Sequence, residues 1–207
     1  MTKAIIICCD LADSILLPRL EENLRLIYPD AELFVAPCAK NPPETSLPCT
    51  TPLRWNTGFI SPDILQAMYS TGADYVAKID ADTWHVAPYL FEKTNALSGI
   101  QWAQNPHNVL GIGYTLSRSA IIELMASEPC KRCDSTKEDQ VISWIARKAF
   151  PNEIFMHPVG TARKASTYDN QSDCCVVHLG CDADRSTRVE FQEILLAITT
   201  SRLTKNA

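Results

Sequence analysis

The sequence predicts an α/β fold with parallel strands at its centre, because the chain opens with a β-α-β pattern. Lys3 to Cys9 is an apolar run typical of a buried strand, and Glu32 to Ala36 has the character of a second one. Between them, a helix capped by Asp13 or Ser14 is expected to run to about Tyr28. Apolar residues recur at helical spacing along one face of it: Ile15, Leu16, Leu20, Leu24 and Ile27. The short connections predict a parallel pair of strands with a right-handed crossover.

Composition sets the outer limits on the class of protein. A chain of 207 residues is long enough for one sizeable domain, and its 46% hydrophobic content is ordinary for a globular protein. The net charge of −5 does not suggest a nucleic-acid-binding surface. The most apolar stretch, Ala4 to Cys9, is too short to cross a bilayer, and no signal peptide is recognisable at the start. We therefore expect a cytoplasmic protein.

The stretch from Asp74 to Val86 carries the most chemical information. It reads as a buried strand that ends on two carboxylates one residue apart, Asp80 and Asp82. Two acids at the carboxyl end of a strand suggest a cation held in the crevice where α/β sheets bind ligands. The alternative is a solvated turn in which Asp82 caps the following segment.

The remaining elements alternate between helices, strands and loops. We expect a long proline-rich loop over Pro37 to Pro52, and a glycine-containing loop at Gly111 to Ser117 whose two glycines let the backbone approach a ligand. Helices are predicted at 61–70, 88–97, from 117, from 138 and over 190–203, and further strands at 100–103, 154–156 and 176–179.

The chain has nine cysteines, and because this number is odd they cannot all pair with one another within the chain. Cys8 and Cys9 lie in the first apolar strand and are expected to pack as small hydrophobic residues. Cys130 and Cys133 form a CxxC motif that is a candidate for a structural zinc site. No second CxxC follows, so scattered reduced thiols are the competing interpretation.

Four motifs occur in an order that is informative as a set. Tyr-Val-x-Lys-x-Asp-x-Asp-Thr from Tyr75 is followed by Gly-x-Gly-Tyr-x-Leu-Ser from Gly111, Glu-Asp at 138–139 and Val-His-Leu-Gly from Val177. This series resembles the nucleotide-sugar glycosyltransferases of the GT-A fold, and most closely the fringe and β-1,3-galactosyltransferase group. The resemblance implies a single-domain, Rossmann-like three-layer α/β/α sandwich with a mostly parallel central sheet, residues 1–72 forming a nucleotide-binding half and 73–207 a metal and acceptor half.

The resemblance also assigns residues by position. Asp80 and Asp82 match the DxD motif that binds Mn²⁺ or Mg²⁺, and His178 matches a late histidine that completes the metal shell. Asp139 matches the general base of the inverting members. The predicted donor-binding residues are Asp10 and Ala81, together with Arg54 and Lys78, whose positive charges could neutralise a pyrophosphate. Acceptor-binding positions are Trp84, Gly111, Gly113, Tyr114 and Glu138.

Two of these assignments have an equally simple structural explanation. The Lys78 ammonium could neutralise a pyrophosphate, or it could form a salt bridge within the site. Trp84 could stack on a sugar, or it could pack in the apolar core. The motif also departs from the closest group, because Ala81 stands where a third acid is common, and this leaves the sugar and the stereochemistry open.

The predicted reaction is therefore transfer of a sugar from a nucleotide-diphosphate donor, with a UDP-sugar favoured, to an acceptor hydroxyl. The acceptor is expected to be a glycan or a small molecule, with a hydroxylated base in viral DNA as a further option. The lack of a recognisable membrane anchor fits a bacterial or viral enzyme. Two rival classes are a non-catalytic, zinc-clipped or GT-A-derived binding module, and a phosphohydrolase of the haloacid-dehalogenase type, whose acids follow the first strand.

Overall fold

The structure, a computed structural model, describes residues 1–54, 60–93, 95–128, 138–158, 162–164, 174–179 and 185–205. The strands are β1 (Lys3–Cys9), β2 (Ala31–Pro37), β3 (Tyr75–Asp80), β4 (Thr83–His85), β5 (Leu97–Trp102), β6 (Asn105–Ser117), β7 (Ile154–His157), β8 (Ala162–Lys164) and β9 (Val176–His178). The helices are α1 (Leu17–Ile27), α2 (Ile60–Ser70), α3 (Arg118–Ala126), α4 (Glu138–Ala149) and α5 (Arg185–Lys205), and a 3-10 turn at Ser14–Leu16 leads into α1.

Six strands form the central sheet, in the order β2-β1-β3-β6-β5-β7. All of them run in one direction except β6, which is antiparallel to both β3 and β5. Because β2 and β3 lie on opposite sides of β1, the direction of winding reverses between β1 and β3. Ligands of open α/β sheets bind outside the carboxyl ends of the strands at such a reversal. The predicted mostly parallel sheet is confirmed.

Both faces of the sheet are covered by helices, which gives the predicted three layers. Along β1 the side chains of Ile5, Ile7 and Cys9 pack against α1, while those of Ala4, Ile6 and Cys8 share a second apolar cluster with α2, α3 and α4. A strand that is buried on both faces needs apolar residues at every position, and this explains the uninterrupted apolar run in β1.

A second, three-stranded sheet has the order β4-β9-β8 and lies beside α5. Its core contains Trp84, Val86, Val177 and Leu179, and Leu195 of α5 is buried with them. The antiparallel pairing of β4 with β9 places Thr83 opposite His178. This small sheet therefore brings the late histidine next to the residues that follow β3.

Four sequence predictions need correction. Residues 88–93 and 95–96 form turns and irregular backbone rather than a helix, and the strand expected at 100–103 begins at Leu97 and lies inside the sheet, between β6 and β7. The predicted loop at Gly111 to Ser117 belongs to the long strand β6. Ile15, expected in the core, is 59% exposed because the chain makes a 3-10 turn there. In each case sheet pairing or local turn geometry overrides a short-range sequence signal.

Among the helices that the structure describes, none is long and apolar enough to cross a membrane.

Candidate active site

The predicted metal ligands meet at the carboxyl edge of β3. Asp80 is the last residue of β3, and Asp82 lies in the turn before β4. The Nε2 atom of His178 is 3.2 Å from Oδ2 of Asp82. The side chains of Asp82 and His178 keep 13% and 22% of their exposure, and that of Asp80 keeps 35%. Asp82 and His178 are thus in contact, Asp80 precedes Asp82 by two residues, and all three side chains keep some access to solvent.

The Asp82 carboxylate lies between His178 and Arg188. Burial acts to raise its pKa, but the hydrogen bond and charge of His178 and the charge of Arg188 outweigh burial, so the pKa is lowered. The same hydrogen bond is the main cause of the raised pKa of His178. Arg188 of α5 lies 4.0 Å from Asp82 and 3.2 Å from Asp13, measured from its Nη1 atom.

A buried network of charges adjoins Asp80 on the opposite side. The Nζ atom of Lys78 is 2.7 Å from Oδ1 of Asp80 and 3.0 Å from Oε1 of Glu138, and it donates to the carbonyl oxygen of Gly111 at 2.6 Å. Burial opposes the charge on Lys78, but the two carboxylates hold its pKa well above the ordinary value. For Asp80, burial outweighs the attraction of Lys78 and raises the pKa.

The candidate base lies at the amino end of α4, beside this network. A Cβ atom on Gly111 would be 3.4 Å from Oδ2 of Asp139, an ordinary contact distance, so Gly111 lies directly beside that carboxylate. Burial, followed by the negative charge of Glu138, raises the pKa of Asp139. A partly buried carboxylate with a raised pKa is a stronger base than an ordinary aspartate, which is a useful property in proton abstraction.

The donor atoms suit a hard divalent cation only in part. Two carboxylates and one imidazole are suitable ligands for Mn²⁺ and acceptable ones for Mg²⁺. Among the described residues, however, no three histidine, cysteine or acidic side chains are already gathered into a cluster that could hold a metal ion. Asp80 is turned toward Lys78 and Asp82 toward His178. The three side chains are therefore not arranged as a preformed metal site, and a cation bound there would take further ligands from a substrate.

The predicted donor-binding residues have different surroundings. The three N–H groups of the Lys78 ammonium all have partners within the protein, and its side chain is only 5% exposed. The salt bridge within the site is therefore present, and a contact of Lys78 with a pyrophosphate stays a prediction. Ala81 is 2% exposed and its N–H donates to the carbonyl of Cys8, and its contact with a donor stays a prediction.

Asp10 and Arg54 lie near the same edge of the sheet, but each has a partner within the protein. Asp10 follows β1, and its Oδ1 atom accepts a hydrogen bond of 2.9 Å from the N–H of Asp13. The guanidinium of Arg54 donates to both oxygens of Asp63, at 2.7 and 3.0 Å. Both side chains are at least partly exposed, and their contact with a donor stays a prediction.

Three of the predicted acceptor-binding side chains lie in the interior of the protein, and their contact with an acceptor stays a prediction. Trp84 is completely buried, and its Nε1–H donates to Oγ1 of Thr199. Tyr114 is completely buried on the face of β6 that packs near Lys78. Glu138 is 8% exposed and pairs with Lys78. These three side chains pack in the interior beside the site and expose little or no surface.

The two glycines of β6, Gly111 and Gly113, have different surroundings. A Cβ atom on Gly113 would overlap the hydroxyl of Tyr89, so this position requires glycine for a protein contact. Gly111 is partly exposed beside Asp139 and remains a candidate for contact with an acceptor.

Sequence reasoning missed Asp13 and Arg188. Asp13 was read only as a helix cap, although its side chain makes no capping hydrogen bond and instead pairs with Arg188. Arg188 lies 106 positions after Asp82, a separation that no sequence motif spans. An arginine in the first turns of a helix, where a positive charge is unfavourable, was the one available signal.

The cysteine predictions are tested only in part. Cys8 and Cys9 are buried in β1 as expected, and burial raises the pKa of both thiols, that of Cys9 to about 12. Cys130 and Cys133, the residues of the predicted zinc site, lie outside the described residues.

Comparisons with known proteins bear on the fold. A scan against protein-family models and a search of curated proteins found no match. Among solved structures, the chain is similar to a glycosyltransferase involved in the glycosylation of the major capsid of PBCV-1. The TM-score is 0.60 and the sequence identity 14%, and the alignment covers 94% of this chain and 100% of that one. The likeness shows that this chain has the fold of a glycosyltransferase, and it is consistent with the predicted GT-A-like architecture.

Proposed function

We propose that the protein is a metal-dependent glycosyltransferase that moves a sugar from a nucleoside-diphosphate donor to an acceptor hydroxyl. The observation that carries this proposal is the contact of Asp82 with His178 at 3.2 Å, which lies just after Asp80 at the carboxyl end of β3. These residues lie next to the reversal of winding between β1 and β3, where α/β sheets bind their ligands. The shared fold with a glycosyltransferase supports the same function.

Asp80, Asp82 and His178 would hold Mn²⁺ or Mg²⁺. The cation would supply positive charge against the diphosphate as it leaves with growing negative charge. The diphosphate oxygens would complete a ligand set that the protein side chains leave incomplete.

Asp139 would remove the proton from the acceptor hydroxyl as that oxygen attacks the anomeric carbon. Direct attack from the side opposite the leaving group inverts the configuration of the sugar. Asp139 is suited to this step because it is partly exposed next to Gly111 and because burial raises its pKa.

The donor and acceptor classes follow from the motif resemblance. A UDP-sugar is favoured as donor, and the fringe and β-1,3-galactosyltransferase group remains the proposed relative. The acceptor would be a glycan or a small molecule, with a hydroxylated DNA base less favoured because of the net charge of −5. The capsid-glycosylating neighbour adds support for a glycan or glycoprotein acceptor.

The test is turnover of nucleotide sugars, measured as nucleoside diphosphate released with and without Mn²⁺. Asp82→Asn removes a charge at the proposed cation site while keeping the size of the side chain. We expect this substitution to lower kcat by about 10²- to 10³-fold, the cost of losing a group that stabilises charge in the transition state.

The matched control is Asp30→Asn, an exposed aspartate in the turn before β2 at the opposite edge of the sheet. It should leave turnover unchanged. Donor turnover that is independent of metal, or equal in the Asp82→Asn and Asp30→Asn variants, would contradict the proposal.

Asp139→Asn tests the base separately. Loss of a positioned general base should lower kcat by about 10²- to 10⁴-fold with little change in the affinity for the donor. If the variant instead loses donor binding and keeps kcat, Asp139 orients the substrate and the inverting mechanism is wrong.

No observation favours either rival class. In a phosphohydrolase of the haloacid-dehalogenase type the acids follow the first strand, whereas Asp80 ends the third strand along the chain. A zinc-clipped binding module would depend on Cys130 and Cys133.

A further inference from the structure

We propose that Lys78 is a positioning residue that fixes the cation site and the candidate base relative to each other. The inference rests on the proposed function, and it assigns to Lys78 a part that the motif resemblance does not give it. Its basis is the geometry of one buried ammonium group with three partners on three different elements.

The Lys78 ammonium has no N–H group left with which to bind a substrate. An ammonium group has three N–H donors, and here they meet Gly111 at 2.6 Å, Asp80 at 2.7 Å and Glu138 at 3.0 Å. The residue is 4% exposed. Its charge therefore acts on the protein and reaches a bound donor only through its partners.

The three partners of Lys78 lie on three different elements. Asp80 ends β3, Gly111 belongs to β6, and Glu138 is the first residue of α4. Glu138 precedes Asp139 in the chain, and Gly111 is the residue against which the Asp139 carboxylate packs. Lys78 thus holds a proposed metal ligand directly, and it holds Asp139 through the residues on two sides of it.

The charge of Lys78 keeps two neighbouring carboxylates together. Without the ammonium, the partly exposed carboxylate of Asp80 and the buried one of Glu138 would be neighbours, and their repulsion and the desolvation of Glu138 would push them apart. Because Glu138 is at the end of α4, the first turn of that helix would move with it. A small displacement of the base relative to the cation site lowers the rate of the chemical step, because the attacking acceptor oxygen must lie in line with the bond that breaks.

The test uses a pair of variants that separates charge from position. Lys78→Met removes the ammonium and keeps the length of the side chain, but it leaves Glu138 without its partner. The double variant Lys78→Met/Glu138→Gln removes one positive and one negative charge, so the net charge of the cluster is the same as in the wild type. Lys148→Met, an exposed lysine near the end of α4, is the matched control.

Three measurements are made on each variant: the midpoint of thermal unfolding, amide hydrogen exchange in the first turn of α4, and Mn²⁺-dependent UDP binding together with kcat and KM. We expect Lys78→Met to be destabilised and the double variant to recover most of the stability. In both, exchange in the first turn of α4 should be faster and kcat should fall about 10- to 100-fold, by more than KM rises.

A double variant with wild-type stability, exchange, UDP affinity and kcat would overturn the proposal, because Lys78 would then only balance charge. A different result would contradict the proposed function, namely that the wild-type protein neither binds UDP nor turns over a nucleotide sugar in the presence of Mn²⁺. In that case the exchange measurement alone decides, and unchanged exchange in the double variant counts against the positioning role.

Discussion

Gly113 shows at the scale of one residue why glycine stands where the sequence suggested a ligand-binding loop. It lies opposite Ile79 in the sheet, and the space that its side chain would occupy is taken by the hydroxyl group of Tyr89. That hydroxyl is buried without a hydrogen-bond partner among the described residues. The conflict between the two residues can be tested because either of them can be changed.

Gly113→Ala should destabilise the protein by about 1–3 kcal/mol, because the added methyl group overlaps the Tyr89 hydroxyl. Tyr89→Phe removes that oxygen and leaves the nearest ring carbon, Cζ, 3.5 Å from the new methyl group, an ordinary contact. The double variant should therefore regain most of the lost stability in urea unfolding. Equal destabilisation of the single and double variants would show that this overlap is not the cause.

His85 predicts a pH dependence of stability. It is completely buried, and burial lowers its pKa from 6.5 to about 3. Between those values the unfolded chain binds a proton that the folded protein does not, so the contribution of His85 to stability is complete above pH 6.5 and is lost as the pH falls toward 3. The slope from this one group is at most about 1.4 kcal/mol per pH unit.

The measurement is the free energy of unfolding of the wild type and of His85→Gln between pH 7 and pH 4 (about the range of ordinary histidine titration). The substitution removes the titrating group and keeps a side chain that can bond the Tyr28 hydroxyl, the partner of His85 at 3.1 Å. The variant should lose stability less steeply as the pH falls. Parallel curves would mean that His85 is protonated equally in both states.

At the scale of elements, the placement of His178 depends on the small sheet and on its packing against α5. Trp84 of β4 donates to Thr199 of α5 at 3.1 Å, and Thr199 donates in turn to the carbonyl of Leu195. The apolar body of Trp84 thus packs in the core while its N–H group has a partner. This contact ties α5 to the strand that pairs with β9, which carries His178.

Thr199→Val should cost about 1–3 kcal/mol, because it leaves the buried N–H group of Trp84 without an acceptor. The neighbouring Thr200 is exposed and bonds only the carbonyl of Leu196 in its own helix, so Thr200→Val is a matched control. Chemical denaturation of the two variants measures the difference. A loss of the same size at both positions would argue against a specific role for the Trp84 hydrogen bond.

At the scale of the whole molecule, ligand binding should stabilise the fold by mass action. If UDP binds only the folded protein together with Mn²⁺, a UDP concentration about 100 times its Kd adds about 2.7 kcal/mol to the free energy of unfolding. A chelator should abolish this gain and leave the stability of the free protein unchanged. Stabilisation by UDP that persists in the chelator would show that the nucleotide binds without the metal.

Much of this fold could be predicted from the sequence because local patterns encode it. The apolar run of β1, the helical spacing from Leu16 to Ile27 and the strand ending at Asp80 are all present as expected. The pair of aspartates also lies at a strand end, since a carboxylate that follows a buried strand must reach solvent. The loop predicted at Gly111 to Ser117 is instead part of β6, and only the packing of Tyr89 shows why position 113 requires glycine.

The sequence by itself determined the α/β class, the position of Asp80 and Asp82, and the occurrence of Asp139 and His178 later in the chain. Only the tertiary structure decided which of these residues meet. The contact of Asp82 with His178 is made by the pairing of β4 with β9, and the enclosure of Lys78 by Asp80, Gly111 and Glu138 is made by the approach of α4 to the sheet. The physical reason is that local propensity depends on near neighbours, whereas the partner of a buried charge is chosen by how distant segments pack.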